Sequence, residues 1–340
     1  MSNRSVVVQL CLIGALLPLW LMVSRALSGD VDSDFLVLWE AGRAALVGRP
    51  VYVSTFPYPP HSLLLFAPLA ALPAGVSELL FNIAGISFFA WAARPYLPRG
   101  FPPVAILSPA VLLCLYFGQT GLIVGGLWLL AFRGFPAAVA LLTFKPHLGV
   151  LSVLSLTGWR SLLLTATLAA LLVIASALLF GASIWYDFFL AVTRQAVAIG
   201  DNSKWPVSGV SPAIGYTLWG WPPFAIAAML LLARRVTPFT AATAALLISP
   251  YGFHYDMPVA CLGFALAVHR GWHQASLAQR SALAAGYLAP VLVYLGTWWA
   301  PPLLLWALWV QTSGAIEEHP RIGDRRPPES MSEFGAKSGE

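Results

Sequence analysis

The stretch VVVQLCLIGALLPLWLMV, residues 6–23, carries no charged side chain. A helix rises about 1.5 Å per residue, so about 20 apolar residues cross a hydrocarbon core roughly 30 Å thick, and this run is long enough to be a transmembrane helix. A secretory signal is the competing reading, because Arg4 precedes the run and Ala26-Leu27-Ser28 resembles a cleavage site. The run exceeds the usual apolar core of a signal, about 7 to 15 residues, and more apolar segments follow it, which favours a retained first helix.

The rest of the chain has the same character. Hydrophobic residues make up 59% of the 340 and charged residues 10%, with a mean hydropathy of +0.76. Soluble domains carry about 25% charged residues, so the expected fold is an all-α polytopic membrane protein. Further apolar runs occupy residues 62–93, 104–117, 122–132, 135–156, 162–180, 218–233, 240–248, 257–268, 282–299 and 302–310. Together they predict about 11 or 12 spans. Two runs are ambiguous: 62–93, interrupted at Pro68 and Pro73, and 135–156, interrupted at Lys145-Pro146, each read as one crossing or as a hairpin.

Arginine placement narrows the choice. With a cytoplasmic N-terminus, Arg234, Arg235, Arg270, Arg280, Arg321, Arg325 and Arg326 fall inside, as the positive-inside rule prefers. Taking 62–93 as one crossing, and 135–156 as two short helices meeting at Lys145-Pro146-His147, adds Arg94, Arg99, Arg133 and Arg160 to that side. Two sizeable segments then lie outside. Residues 28–60 contain FLVLWEAGRAAL, 35–46, an amphipathic helix ending near Gly48 and Pro50; residues 182–216 begin with a second aromatic-rich helix and continue into DNSKWPVSG. Residues 1–314 read as one membrane domain, and 315–340 as a polar, disordered cytoplasmic tail. The net charge of +5 needs no nucleic-acid partner, since arginines held in cytoplasmic loops produce it. Cys11, Cys114 and Cys261 all lie in apolar runs, without metal-binding spacing, and read as small buried hydrophobes.

No nucleotide-binding, zinc-protease or serine-hydrolase signature is present. Polar groups that border or interrupt apolar runs stand out instead, because ionisable groups at membrane depth are costly and usually functional. They are Asp34, Tyr58-Pro59-Pro60-His61, Gly118-Gln119, Lys145-Pro146-His147 and the run from Ser249 to Asp256, which contains His254. In the preferred topology all of them converge on one face.

These residues resemble the pattern of glycosyltransferase family 87. Asp34-Phe35, an amphipathic helix, Gly48-Arg49-Pro50-Val51-Tyr52, and Tyr58-Pro59-Pro60 opening an apolar run with Pro68-Leu69-Ala70 and Leu72-Pro73 follow the family's order. Gly118-Gln119, Lys145-Pro146 and Ser249-Pro250-Tyr251 continue it, so the resemblance covers about residues 34–256. It implies the all-helical GT-C fold of a plasma-membrane enzyme. It implies also a polyprenyl-phosphate-linked sugar as donor, mannose-like or arabinose-like, and a glycolipid or polysaccharide acceptor at the extracytoplasmic face. Inverting transfer needs a carboxylate to take the acceptor's proton and polar or cationic partners for the leaving phosphate. Asp34 is the candidate base, and Tyr58, Gln119, Lys145, His147 and His254 are candidate substrate contacts.

Each assignment has a structural rival. Asp34 is also a natural helix N-cap, Lys145 a snorkelling interfacial lysine, and His254 a hydrogen-bonded core histidine. Gln119 is equally a stitch between helices, and Tyr58-Pro59-Pro60 a turn that starts one. Asp30 and Asp32 read as loop residues, with a divalent cation held by Asp30-Val31-Asp32 or by Asp32-Ser33-Asp34 as the less favoured alternative; no cofactor is expected. A transporter or translocase of a lipid-linked sugar is the alternative function, against which stands the lack of an internal repeat.

Overall fold

The computed structural model describes residues 2–28, 33–52, 56–200 and 209–313. Asp30, Asp32, most of the DNSKWPVSG loop and the 315–340 tail lie outside the described residues. Within them the chain is helical, and strand pairing is limited to one bridge between Gly209 and Phe253. The helices are α1 (Asn3–Ser28), α2 (Phe35–Leu46), α3 (Leu63–Leu69), α4 (Ala74–Ala93), α5 (Pro109–Phe117), α6 (Gly121–Ala131), α7 (Pro136–Leu141), α8 (Pro146–Gly149), α9 (Gly158–Phe180), α10 (Ser183–Gly200), α11 (Pro212–Leu232), α12 (Pro238–Ile248), α13 (Pro258–Gly271), α14 (Leu277–Leu292) and α15 (Ala300–Thr312). Three helical stretches, Asn3–Ser28, Ala74–Tyr96 and Gly158–Phe180, are long and apolar enough to cross a membrane. The expected helices at 35–46 and after residue 182 are α2 and α10.

Many of the shorter helices begin on proline: α5, α7, α8, α11, α12 and α13 carry it in their first turn. Proline is suited to that position, because its ring presets a helical φ and the missing N–H is one that no helical partner would accept. The same ring disfavours a helical conformation in the residue before it, which decides the ambiguous 135–156 run. Lys145, preceding Pro146, has φ −132° and ψ 66°. The run therefore breaks there into two short arms, α7 with the 3-10 turn Leu142–Phe144, and α8 with the 3-10 turn Val150–Ser155.

Contacts between helix ends define two poles. At the first, Asn3 Nδ2 donates to His269 O at 2.9 Å, Tyr96 OH to Leu129 O at 2.8 Å and Trp128 Nε1 to Pro238 O at 2.7 Å. These bonds gather the start of α1, the ends of α4, α6 and α13, and the start of α12. Arg94, Arg133 and Arg270 sit at helix ends on this pole, and Arg235 joins them through its carbonyl, which accepts from Thr240 Oγ1 in α12. At the second pole Arg25, in the last turn of α1, donates from Nη1 to Tyr116 O at 2.9 Å and lies 3.9 Å from Glu78 near the start of α4. Asn82 Nδ2 donates to Leu115 O at 3.1 Å. The 62–93 run resolves accordingly. Ser77 Oγ donates to Leu69 O and Trp39 Nε1 to Leu72 O, so α3 stays beside α2 at the second pole and α4 alone runs to the first.

The outer faces of α1, α4 and α9 show large exposed hydrophobics, among them Leu16, Trp20, Leu79, Ile83, Leu178 and Leu179. A hydrocarbon surround satisfies such a surface, since the helices bond their own backbone. In contrast, α13 is buried from Val259 to Val268 on all sides and forms the centre of the bundle.

Candidate functional site

The polar groups of the second pole meet in a cavity of about 130 Å³ lined by Asp34, Val37, Leu38, Pro57, Tyr58, Gln119, Lys145, Tyr251, Phe253 and Tyr255. Residues far apart in sequence build it because helix ends from four regions converge here. Gly118 ends α5 with φ 62°, a left-handed conformation natural to glycine. A β-carbon there would stand 2.6 Å from Phe35 Cβ. Gly121 is closer still: a β-carbon on it would collide with the carbonyl oxygen of Tyr255. Between these two glycines, Gln119 is delivered to the cavity.

Asp34 occupies the N-cap position of α2, but its side chain makes no capping bond. The carboxylate instead accepts from Gln119 Nε2 at 2.9 Å. Gln119 Oε1 in turn accepts from Tyr58 OH at 3.4 Å, and Tyr58 OH lies 2.9 Å from Thr120 Oγ1. The capping rival for Asp34 is thus set aside in favour of a polar chain that runs Tyr58, Gln119, Asp34. Although Asp34 keeps an exposed edge, burial among these neighbours raises its pKa above the usual carboxylate value, and the Gln119 bond offsets part of that rise.

Tyr58 is held by an aromatic cluster. Its ring centre lies 5.6 Å from that of Phe56 and 5.9 Å from that of Phe66, and Tyr52 OH donates to its carbonyl at 2.7 Å. It also stacks on Phe144 at 6.0 Å, the residue before Lys145. Lys145 is 4% exposed. Its Nζ stands 2.5 Å from Asp256 Oδ1 and 5.7 and 5.5 Å from the ring centres of Tyr58 and Tyr255. Its ammonium is therefore ion-paired and faced by aromatic rings, which rules out the snorkelling arrangement.

Of the residues singled out from sequence, the fold brings Asp34, Tyr58, Gln119 and Lys145 to one cavity. His147 and His254 are not among its lining residues. The His147 ring packs tilted against that of Tyr251, ring centres 3.9 Å apart, and its buried Nε2 has no hydrogen-bond partner among the described residues. His254 is fully buried, 3.2 Å from Tyr294 OH through Nε2 and edge-on to Phe117. The loop that carries it is tied down by Val210 N donating to Gly252 O at 2.8 Å and by Ser249 Oγ donating to Tyr251 O.

Asp256 closes the run from Ser249 that the sequence flags, but only His254 within that run was a candidate contact. A signal for it exists in the sequence: a lysine within an apolar run needs a counter-ion, and Asp256 is the sole carboxylate between residues 202 and 316. Among the described residues no cluster of three or more His, Cys, Asp or Glu side chains could hold a metal ion; Asp30 and Asp32 are not among those residues.

An all-helical bundle with lipid-suited outer faces is that of a membrane protein, and one pole of it carries a carboxylate, an ammonium and aromatic walls around a single cavity. The family model of Glycosyltransferase family 87 matches residues 56–293. The chain belongs to that family and is a membrane glycosyltransferase, as the sequence resemblance implied. The matched span includes Tyr58, Gln119, Lys145, His147, His254 and Asp256, while Asp34 precedes it. No curated protein and no solved structure gives a significant match.

Proposed function

We propose that the enzyme moves one sugar, a mannose-like hexose or an arabinose-like pentose, from a polyprenyl-phosphate donor to a glycolipid or polysaccharide acceptor. The reaction takes place at the extracytoplasmic face of the plasma membrane, with Asp34 as general base. The observation that carries this reading is the presence of the Asp34 carboxylate and the Lys145 ammonium in one cavity of about 130 Å³.

Asp34 removes the proton from an acceptor hydroxyl as its oxygen bonds to the anomeric carbon. The bond from that carbon to the donor phosphate breaks, and the phosphate oxygen keeps the electron pair. Lys145 contacts the departing phosphate, a charge-assisted partner for the negative charge that develops there. Tyr58 and Gln119 support Asp34 through their hydrogen-bonded chain. The aromatic walls Tyr251, Phe253 and Tyr255 face the sugar ring, and His147 and His254 support those walls from behind. Arginines gathered at the opposite pole favour a cytoplasmic location for that pole, which turns the cavity outward. A prenyl tail stays in hydrocarbon while its phosphate reaches the cavity's level.

The test is transfer by purified protein from a radiolabelled polyprenyl-phosphate sugar to a membrane glycolipid extract. Labelled product supports the reading. Protein-dependent movement of the intact donor across sealed vesicles, with no transfer, would replace it with a translocase.

A further inference from the structure

The Lys145–Asp256 pair is only half used by the reaction above. Lys145 lines the cavity, whereas Asp256 does not. Its side chain is 0% exposed, with Oδ1 on the Lys145 ammonium and Oδ2 accepting from the Phe253 N–H at 3.1 Å. One carboxylate therefore fixes two components of the site. It holds the ammonium beside the rings of Tyr58 and Tyr255, and it anchors the backbone that presents Phe253 and Tyr255 as walls. We propose that Asp256 is a positioning residue, which aims the Lys145 ammonium at the phosphate of the lipid-linked donor without itself touching the donor.

Stability alone does not account for the pair. Removing two charges from water costs about as much as their attraction returns, and apolar side chains of similar volume commonly serve as well or better. Asp256 borders a small space lined by Val124, Trp128, Leu148, Leu246 and Val259, where an apolar side chain would find ready partners. A carboxylate is kept in that setting at the cavity wall. An ammonium has three N–H donors, and Asp256 occupies one of them, which leaves capacity for a phosphate oxygen.

This inference rests on the donor proposed above, and its test separates the two. Wild type, Asp256→Asn, Lys145→Met and the uncharged double variant Lys145→Met/Asp256→Leu are compared in detergent. The three readouts are thermal melting, equilibrium binding of decaprenyl phosphate, and donor KM and kcat in the transfer assay. The expected result is that all three variants bind decaprenyl phosphate about tenfold or more weakly, as loss of a charge-assisted contact implies. Donor KM should rise while acceptor KM stays level, and the double variant should melt close to wild type. If Asp256→Asn does not fold, Asp256→Glu, which keeps the charge beside Lys145 but moves the carboxylate by one methylene, decides the matter by the same donor binding and KM readouts, and wild-type-like values for it would overturn the inference. Wild-type-like binding by folded Asp256→Asn would overturn the inference; wild-type-like binding by the double variant would remove the Lys145 contact on which it rests, and a wild type that binds no decaprenyl phosphate would overturn both. A wild type that binds the lipid phosphate but transfers no sugar would sink the transferase reaction and leave the positioning role standing.

Discussion

Asp34→Asn separates the chemical role of this carboxylate from its structural one. The substitution keeps size and shape, and an Asn oxygen can accept the Gln119 Nε2 bond that Asp34 now accepts at 2.9 Å. No cap is lost, because the Asp34 side chain makes no capping bond. Replacing a charged acceptor by a neutral one weakens that bond by about 1 kcal/mol. Relief of carboxylate burial works in the opposite direction. Burial raises the Asp34 pKa, so as pH rises past the unfolded value of 3.8 the unfolded chain ionises first and the folded wild type loses stability until its own raised pKa is passed. At neutral pH the Asn variant escapes that loss, and its melting temperature should equal or slightly exceed that of wild type. Chemistry responds differently. A positioned general base contributes at least about 100-fold, or about 2.7 kcal/mol of barrier, so transfer should fall by that factor or more. The assay is initial-rate transfer from a labelled polyprenyl-phosphate sugar, run beside a thermal melt of the same preparation. Transfer within tenfold of wild type by a normally folded Asp34→Asn protein would refute the assignment.

Three further outcomes follow from the same geometry. Gln119→Leu removes the bond that holds down the Asp34 pKa, so the acid limb of the rate profile should move to higher pH, and stability should drop by about 1 to 3 kcal/mol as Tyr58 and Asp34 lose a partner; an unmoved limb would exclude the hydrogen-bonded chain. Gly121→Ala forces a β-carbon onto the Tyr255 carbonyl and should cost about 1 to 3 kcal/mol, as overpacking does, visible as a lower melting temperature and reduced transfer. Single cysteines at Val47 and Leu295, exposed at the Asp34 pole, should react in spheroplasts with a membrane-impermeant thiol reagent, while cysteines at Arg234 and Leu277 should not; the reverse pattern would invert the topology. The three native cysteines are buried and give little background.

Much of the architecture was legible in the sequence because a membrane imposes a simple rule: apolar runs must become helices that satisfy their own backbone. Hence α1 (Asn3–Ser28) contains the run 6–23 and extends it at both ends, α2 falls where residues 35–46 predicted it, and the Lys145-Pro146 interruption became a break, since proline acts on its neighbour through local sterics. The convergence of Asp34, Tyr58, Gln119 and Lys145 followed from topology, which needs only to know at which helix end a residue lies. Finer placement was not legible. Whether His147 and His254 face the cavity depends on rotation about a helix axis by one position, set by packing against Tyr251, Phe117 and Tyr294. The destination of the Asp34 carboxylate depended likewise on the left-handed turn at Gly118, which swings Gln119 toward it in place of a cap.

The partners of the buried ion pair are separated by 111 positions, and a ribosome adding about 5 to 20 residues per second needs about 6 to 22 s to cover that distance. Throughout the interval the Lys145 ammonium lacks the carboxylate that pairs with it in the finished fold. A charge left unpaired among buried side chains is costly, so the short arms α7 and α8 gain their full stability only once Asp256 has been made. A polypeptide that ends before Asp256 thus lacks the carboxylate that fixes both Lys145 and the Phe253 backbone, and the late half of the chain completes a site that the early half begins.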